Sequence, residues 1–193
     1  MQITIATTHE EMLPVWKLTH DAYVNEGYAD PTPEGVLHHY PHLDGIPQTT
    51  VFTALENEQL LGTVTLTEDG PAGLSVDSEF KDLVDPFRKL PCKIASVWRL
   101  VTQPTIRRSL VVMSLIGKVI ETCTEQNIYL VFLVINPKHE KFYNRMLCFQ
   151  TISETREELA VKANPGLLLM TDLDKLQPCW TEWKKRIKKH ETH

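Results

Sequence analysis

A chain of 193 residues, 42% hydrophobic and 23% charged, can bury one sizeable core without metal or disulfide staples, and its composition is globular, not disordered. The net charge of −5 is uneven: residues 178–193 hold five Lys/Arg against two Glu, so +3, and residues 1–177 hold −8. An acidic body excludes a dedicated nucleic-acid binder, whose affinity needs phosphate neutralisation. No apolar run reaches the ~18 residues of a membrane span. MQITIATTHEEM lacks the basic start and apolar core of a secretory leader, so a cytoplasmic protein is expected. Cys92, Cys123, Cys148 and Cys179 are scattered without zinc spacing and read as four reduced thiols. His38, His39 and His42 read as surface polar residues in a loop, and no metal site is expected.

In chain order, ITIATT (3–8) reads as a first strand. Met12, Val15, Trp16, Thr19 and Tyr23 follow at helical spacing, with Pro14 suited only to the first turn of that helix. The Pro/Gly-dense stretch 30–47 is a loop. TTVFTAL and LLGTVTLTE flank ENEQ and predict a β-hairpin. EFKDLVDPFRKL (79–90) predicts a short helix broken near Pro86. KIASVWRLVT (93–102) predicts a strand ended by Pro104. A long helix is expected from about Thr105 to Gln126, then a strand buried on both faces at IYLVFLVI (128–135). Asn136 and Pro137 have the chemistry of a helix start. CFQTIS (148–153) and GLLLMTD (166–172) complete the strands, and CWTEWKKRIKK the helices. The fold class is α+β, a mixed and mostly antiparallel sheet flanked by helices, organised as a body (1–177) and a basic amphipathic helix (178–193) docked on it. Trp180, Trp183 and Ile187 favour docking over contact with a membrane surface.

RLVTQPTIRRS (99–109) and NPKHEKFYNRMLCF (136–149) resemble two conserved segments of the GNAT superfamily of acyltransferases. VNEGYADPTPEG (24–35), HLDGIPQTTVFTA (42–54), GLSVDSEFKDLVDPFRK (73–89) and KANPGLLLMTDLDKL (162–176) resemble its subgroup of long-chain N-acyl amino acid synthases, which are similar in turn to acyl-homoserine-lactone (autoinducer) synthases. The resemblance covers about residues 10–176. It implies a GNAT-like fold and transfer of a fatty acyl chain from acyl carrier protein to the amino group of an amino acid or related small amine. It implies no tightly bound cofactor; the acyl-phosphopantetheine of the carrier protein, or acyl-CoA, is the co-substrate. An autoinducer synthase, and a non-catalytic module that binds an acyl carrier or lipid, are the alternatives.

The same resemblance assigns roles. The backbone of Leu100, Val101 and Thr102 would pair with the pantetheine amides, and the N–H near Val101 would stabilise the oxyanion. Gly-rich loops that cradle a pyrophosphate are absent from QPTIRRSLVV (103–112), which leaves Arg107 and Arg108 for a phosphate or for acidic groups of the carrier protein. Tyr143 would protonate the leaving sulfur. Phe80, Leu83 and Phe87, with Leu74 and Val76, would line the acyl chain. Arg99, in a strand with apolar neighbours, must be paired: it either binds the acceptor's carboxylate or pairs with Asp44 or Glu79. Asp44 matches an acidic residue that orients the acceptor. The chain departs from the subgroup at Leu18-Thr19-His20 and Thr65, where an Arg is usual, and at Ser96, where a Glu is usual. The base is then expected to be a water held by Ser96, or another carboxylate such as Glu26.

Overall fold

A computed structural model of the chain describes residues 1–104, 108–158 and 161–191, with side chains in the last helix described to Lys185. Thr8 opens the first helix, α1 (His9–Asn25), with a reciprocal capping box to Glu11, after strand β1 (Gln2–Ala6). Pro14 therefore lies in the second turn and not the first. Its ring sits on the exposed face, where the carbonyl it leaves unbonded reaches water. The hairpin β2 (Thr49–Glu56) and β3 (Gln59–Glu68) forms as the sequence predicts. So do α2 (Asp77–Val84), ended before Pro86 and followed by a 3-10 turn at Phe87–Lys89, and β4 (Lys93–Thr102).

The long helix α3 is described from Arg108 to Glu125; the expected first turn at Thr105–Arg107 lies outside the described residues. Strand β5 (Ile128–Ile135) ends at Asn136, whose side chain accepts from the N–H of Lys138 and caps a 3-10 turn that leads into α4 (Glu140–Leu147). The strand expected at 148–153 shrinks to β6 (Gln150–Thr151). An unexpected strand, β7 (Arg156–Glu158), precedes β8 (Asn164–Asp172). The last helix, α5 (Leu173–Glu191), starts before the 177/178 boundary read from the sequence.

The strands form one sheet in the order β1-β2-β3-β4-β5-β8-β6, with β7 paired to β8. Only β4 and β5 run parallel. Alternation sorts the side chains: Phe52, Ala54, Val131 and Leu133 pack with α3 and α5, while Val51 meets α1, and Leu130 and Phe132 meet the segment of α2. Trp180 and Trp183 of α5 are buried in the first of these layers. Gly117 of α3 allows this, because a Cβ there would lie 2.8 Å from Cζ2 of Trp180. Gly117→Ala should cost about 1–3 kcal/mol, read as a lower urea midpoint.

Two features of β4 open the sheet. Its pairing with β5 runs from Lys93 to Ser96, opposite Ile128 to Phe132, and stops, while both strands continue. Against β3 it has a bulge: Thr65 faces Trp98 but Thr63 faces Val101, so β4 carries one extra residue. Arg99 occupies the bulge with φ 54°, the left-handed region. The extra residue bends the strand and puts both Trp98 and Val101 on the α1 side.

The thiols correct the sequence reading. Cys148 and Cys179 form a disulfide with Cα atoms 6.1 Å apart, joining the left-handed C-cap of α4 to α5, whereas Cys92 and Cys123 are free. Packing of α5 beside α4 brings the pair together across 31 residues, a separation with no local signature.

Candidate active site

Where β4 parts from β5 the protein encloses a cavity of about 690 Å³. The C-terminal end of α1 and the turn that follows it supply Tyr23, Glu26 and Tyr28 to its walls, and the 30–48 loop supplies His39 and Tyr40. Trp98–Pro104, Leu133–Asn136, Tyr143 and Glu158 complete most of the lining. One side of the mouth is tied by an ion pair between Lys138 and Glu26, with the Lys138 ammonium 5.3 Å from the centre of the Tyr28 ring. Arg108, the first described residue of α3, also lines it.

Arg99 is the largest fully buried side chain of the described residues. Its Nη2 donates to both oxygens of Asp44, at 2.8 and 2.9 Å, and its guanidinium carbon lies 4.2 Å from the centre of the Trp98 ring. Asp44 also accepts from the indole N–H of Trp16, at 3.1 Å. Burial pulls Arg99 below its usual pKa, and Asp44 opposes this. The Nε and Nη1 donors of Arg99 have no partner among the described residues. A buried cation with two unspent donors in a cavity wall has the charge and the N–H groups to receive a carboxylate.

Beside it runs a chain of polar aromatics. Tyr23 Oη and His39 Nδ1 share a hydrogen bond of 3.1 Å, and the ring of Tyr40 stacks at 4.1 Å on that of His39. Tyr40 donates its hydroxyl to Glu158, at 3.0 Å, and Nε2 of His39 lies 4.0 Å from the same carboxylate. Burial raises Glu158 to about 7, against the Tyr40 hydrogen bond and with some help from Glu79. Burial, then Arg99, lowers His39 to about 3, so its imidazole is neutral. The side chain of His39 is 5% exposed, which overturns its reading as a surface residue; His42 is exposed as expected.

The structure brings Arg99, Leu100, Val101, Thr102, Arg108, Glu26 and Tyr143 to one cavity, with Asp44 directly behind Arg99. Burial raises Tyr143 to about 12. Ser96 is not brought there: it is fully buried, and both the N–H and the hydroxyl of Ser75 donate to its Oγ, at 3.1 and 2.9 Å. Ser75 itself lines the cavity, so Ser96 stands one hydrogen bond behind the wall. Glu26 lines the cavity but is held by Lys138, whose hydrogen bond keeps its carboxyl below the usual range. Phe80, Leu83 and Phe87 pack in an apolar cluster with Phe132 and Leu168 and do not line the cavity; Val134 touches both. Arg107 lies outside the described residues. The residue that sequence reasoning missed is Glu158. Its only signal is a polar strand, Arg156–Glu158, in which the last carboxylate is buried. Among the described residues no His, Cys, Asp and Glu gather as metal ligands, and no helix is long and apolar enough to cross a membrane.

A mixed sheet that splits between its two parallel strands, with a bulge on the first and an aromatic-lined cavity at the split, is the architecture of the GNAT fold. The fold is shared with FeeM, an N-acyl amino acid synthase from uncultured soil microbes (TM-score 0.81, 22% identity, covering 95% of this chain and 96% of that one). It is also shared with MesI, a CoA-dependent acyl-homoserine lactone synthase (0.67, 16%, 95% and 95%), and with ElaA of Escherichia coli (0.60, 15%, 88% and 99%). No curated protein sequence matches the chain. The family model described as N-acyl amino acid synthase FeeM matches residues 14–172, and the chain belongs to that family.

Proposed function

We propose that the chain joins a fatty acyl group, delivered as a phosphopantetheine thioester on acyl carrier protein, to the amino group of an amino acid. The observation that carries this is Arg99: pinned by Asp44 through one nitrogen, it offers Nε and Nη1 at the place where β4 leaves β5. An amino acid held there by its carboxylate presents its amine to a thioester lying in the split. Leu100–Thr102 line that split and supply the strand edge for the pantetheine amides, with the Val101 N–H for the oxyanion. The acyl methylenes run along Val97, Leu133 and Val134, with the cluster of Phe80, Leu83 and Phe87 behind Val134. Arg108 at the mouth and the Gly-free segment 103–112 favour a carrier-protein phosphate over the pyrophosphate of coenzyme A.

Tyr143 keeps its proton at neutral pH and serves as acid toward the departing thiolate. Tyr143→Phe should lower kcat about 100-fold with little change in the KM of the acceptor, measured by thiol release. The whole reading is tested by offering medium- and long-chain acyl carrier proteins, and the matching acyl-CoAs, with pooled amino acids and identifying products by mass spectrometry. Acyl amino acids formed from the carrier-protein donor support it. Donor binding without thiol release would instead mark a non-catalytic acyl-carrier module.

A further inference from the structure

The reaction needs a base inside the cavity, because an amino acid arrives as an ammonium and only the free amine attacks a thioester. The position where related chains are expected to carry a glutamate is Ser96, which lies behind the cavity wall, capped by Ser75, and whose hydroxyl is no base at neutral pH. The other groups near the site are poorer candidates. Asp21 and His139 line the cavity, but Asp21 shares a hydrogen bond with His20, and burial and the neighbouring Lys138 make His139 a weaker base than a free imidazole. Glu26 is neutralised by Lys138 at the mouth. Asp44 is taken up by Arg99 and Trp16. His39, lowered to about 3 by burial, is too weak a base, and Tyr143, raised to about 12, holds its proton at neutral pH and so does not start as a base.

We propose that Glu158 is the general base, its carboxylate held by the Tyr40 hydroxyl and taking a proton from the acceptor's ammonium in the cavity beside Arg99. Glu158 lines the cavity, and its side chain is 10% exposed. Among the described residues no lysine or arginine pairs with it. The groups that face it are Tyr23 of α1, His39 and Tyr40 of the 30–48 loop, Glu79 of α2, and, across the cavity, Arg99 of β4 and Tyr143 of α4. Among the described residues only the Tyr40 hydroxyl donates to it. The remaining lone pairs and the unpartnered Nε2 of His39 mark where a polar N–H can enter. Burial also tunes it to a value near neutrality, where a base both accepts and releases protons.

The step balances without a co-reactant. One ammonium proton passes to Glu158, and the amine lone pair forms the C–N bond as the carbonyl π pair moves to oxygen. Collapse breaks the C–S bond. The second nitrogen proton is lost to the departing thiolate through Tyr143, and Glu158 returns its proton to water.

This inference rests on the acyltransferase reading above. Glu158→Gln keeps an acceptor for the Tyr40 hydroxyl and removes the base. With the full chain, an acyl carrier protein donor and a reactive amino acid, kcat should fall about 10²–10⁴-fold while the acceptor's KM holds. The acidic limb of the wild-type kcat/KM profile, expected near pH 7, should vanish, and Glu158→Asp should regain part of the rate with a limb. A folded Glu158→Gln protein with wild-type rate and limb, or with only its KM changed, overturns the assignment and leaves the acyltransferase reading intact. Wild-type protein that releases no thiol with any amine overturns both.

Discussion

Asp44→Asn should lower stability by about 3–5 kcal/mol, the cost of leaving a buried charge without its partner. Arg99 is fully buried and its only described hydrogen bonds go to Asp44. The asparagine oxygen still accepts from Trp16 or Arg99 but carries no countercharge. Urea denaturation reads the loss directly. The companion substitution, Arg99→Lys, keeps the charge and loses the fork. An ammonium cannot serve Asp44 and a substrate carboxylate with fixed donors on both sides. One charged hydrogen bond is worth about 1.5–3 kcal/mol, so the KM for a carboxylate-bearing acceptor should rise about 10–100-fold. An amine of the same shape without the carboxylate should be used equally well by both proteins. Equal loss for both amines would show that Arg99 shapes the cavity without binding the carboxylate.

Glu158→Gln should stabilise the protein at high pH while it disables it. The carboxyl goes from an ordinary 4.5 to about 7 on folding. A raised acid binds its proton more tightly in the folded state, so the folded protein loses stability as pH rises from about 4.5 to about 7, and the deficit persists above that. The shift is worth about 3 kcal/mol. Glutamine does not titrate. Wild type and variant should therefore differ little near pH 4.5, and the variant should melt higher at pH 8, by a margin scanning calorimetry resolves. A constant difference at all pH values would mean that the carboxyl is not perturbed by folding.

Elements whose cause is local were legible in the sequence. The apolar run at 128–135 is β5, and Pro86 and Pro104 stop what precedes them. The hairpin at 49–68 follows from alternation around a polar turn. The site was legible where a residue type is costly unless used: an arginine among strand residues had to find a partner, and Asp44 was among those named. What could not be read depends on encounters between distant segments. Ser96 meets Ser75, a residue of the cavity wall from the segment before α2, and does not itself line the cavity. His39 looked like one of three loop histidines, and only the approach of Tyr23 and Trp98 buries it. Glu158 sits in a strand without hydrophobic periodicity, and its burial is decided by Tyr40, 118 positions away. The partnership of Cys148 with Cys179 depends in the same way on where α5 lies.

The left-handed backbone of Arg99 sets chemistry and folding at odds in one residue. A bulge with φ 54° is a place where glycine relaxes the chain, yet glycine alone would leave the Asp44 carboxylate buried without its partner. Mutational drift filtered only by foldability would thus change positions 44 and 99 together, to glycine or asparagine beside an uncharged residue. A chain that keeps both the charged pair and the left-handed arginine gives up stability that such a pair would recover, which is expected of a residue kept for a substrate. Positions 44 and 99 read together are for that reason a compact marker for sorting active synthases from relatives that keep the architecture alone.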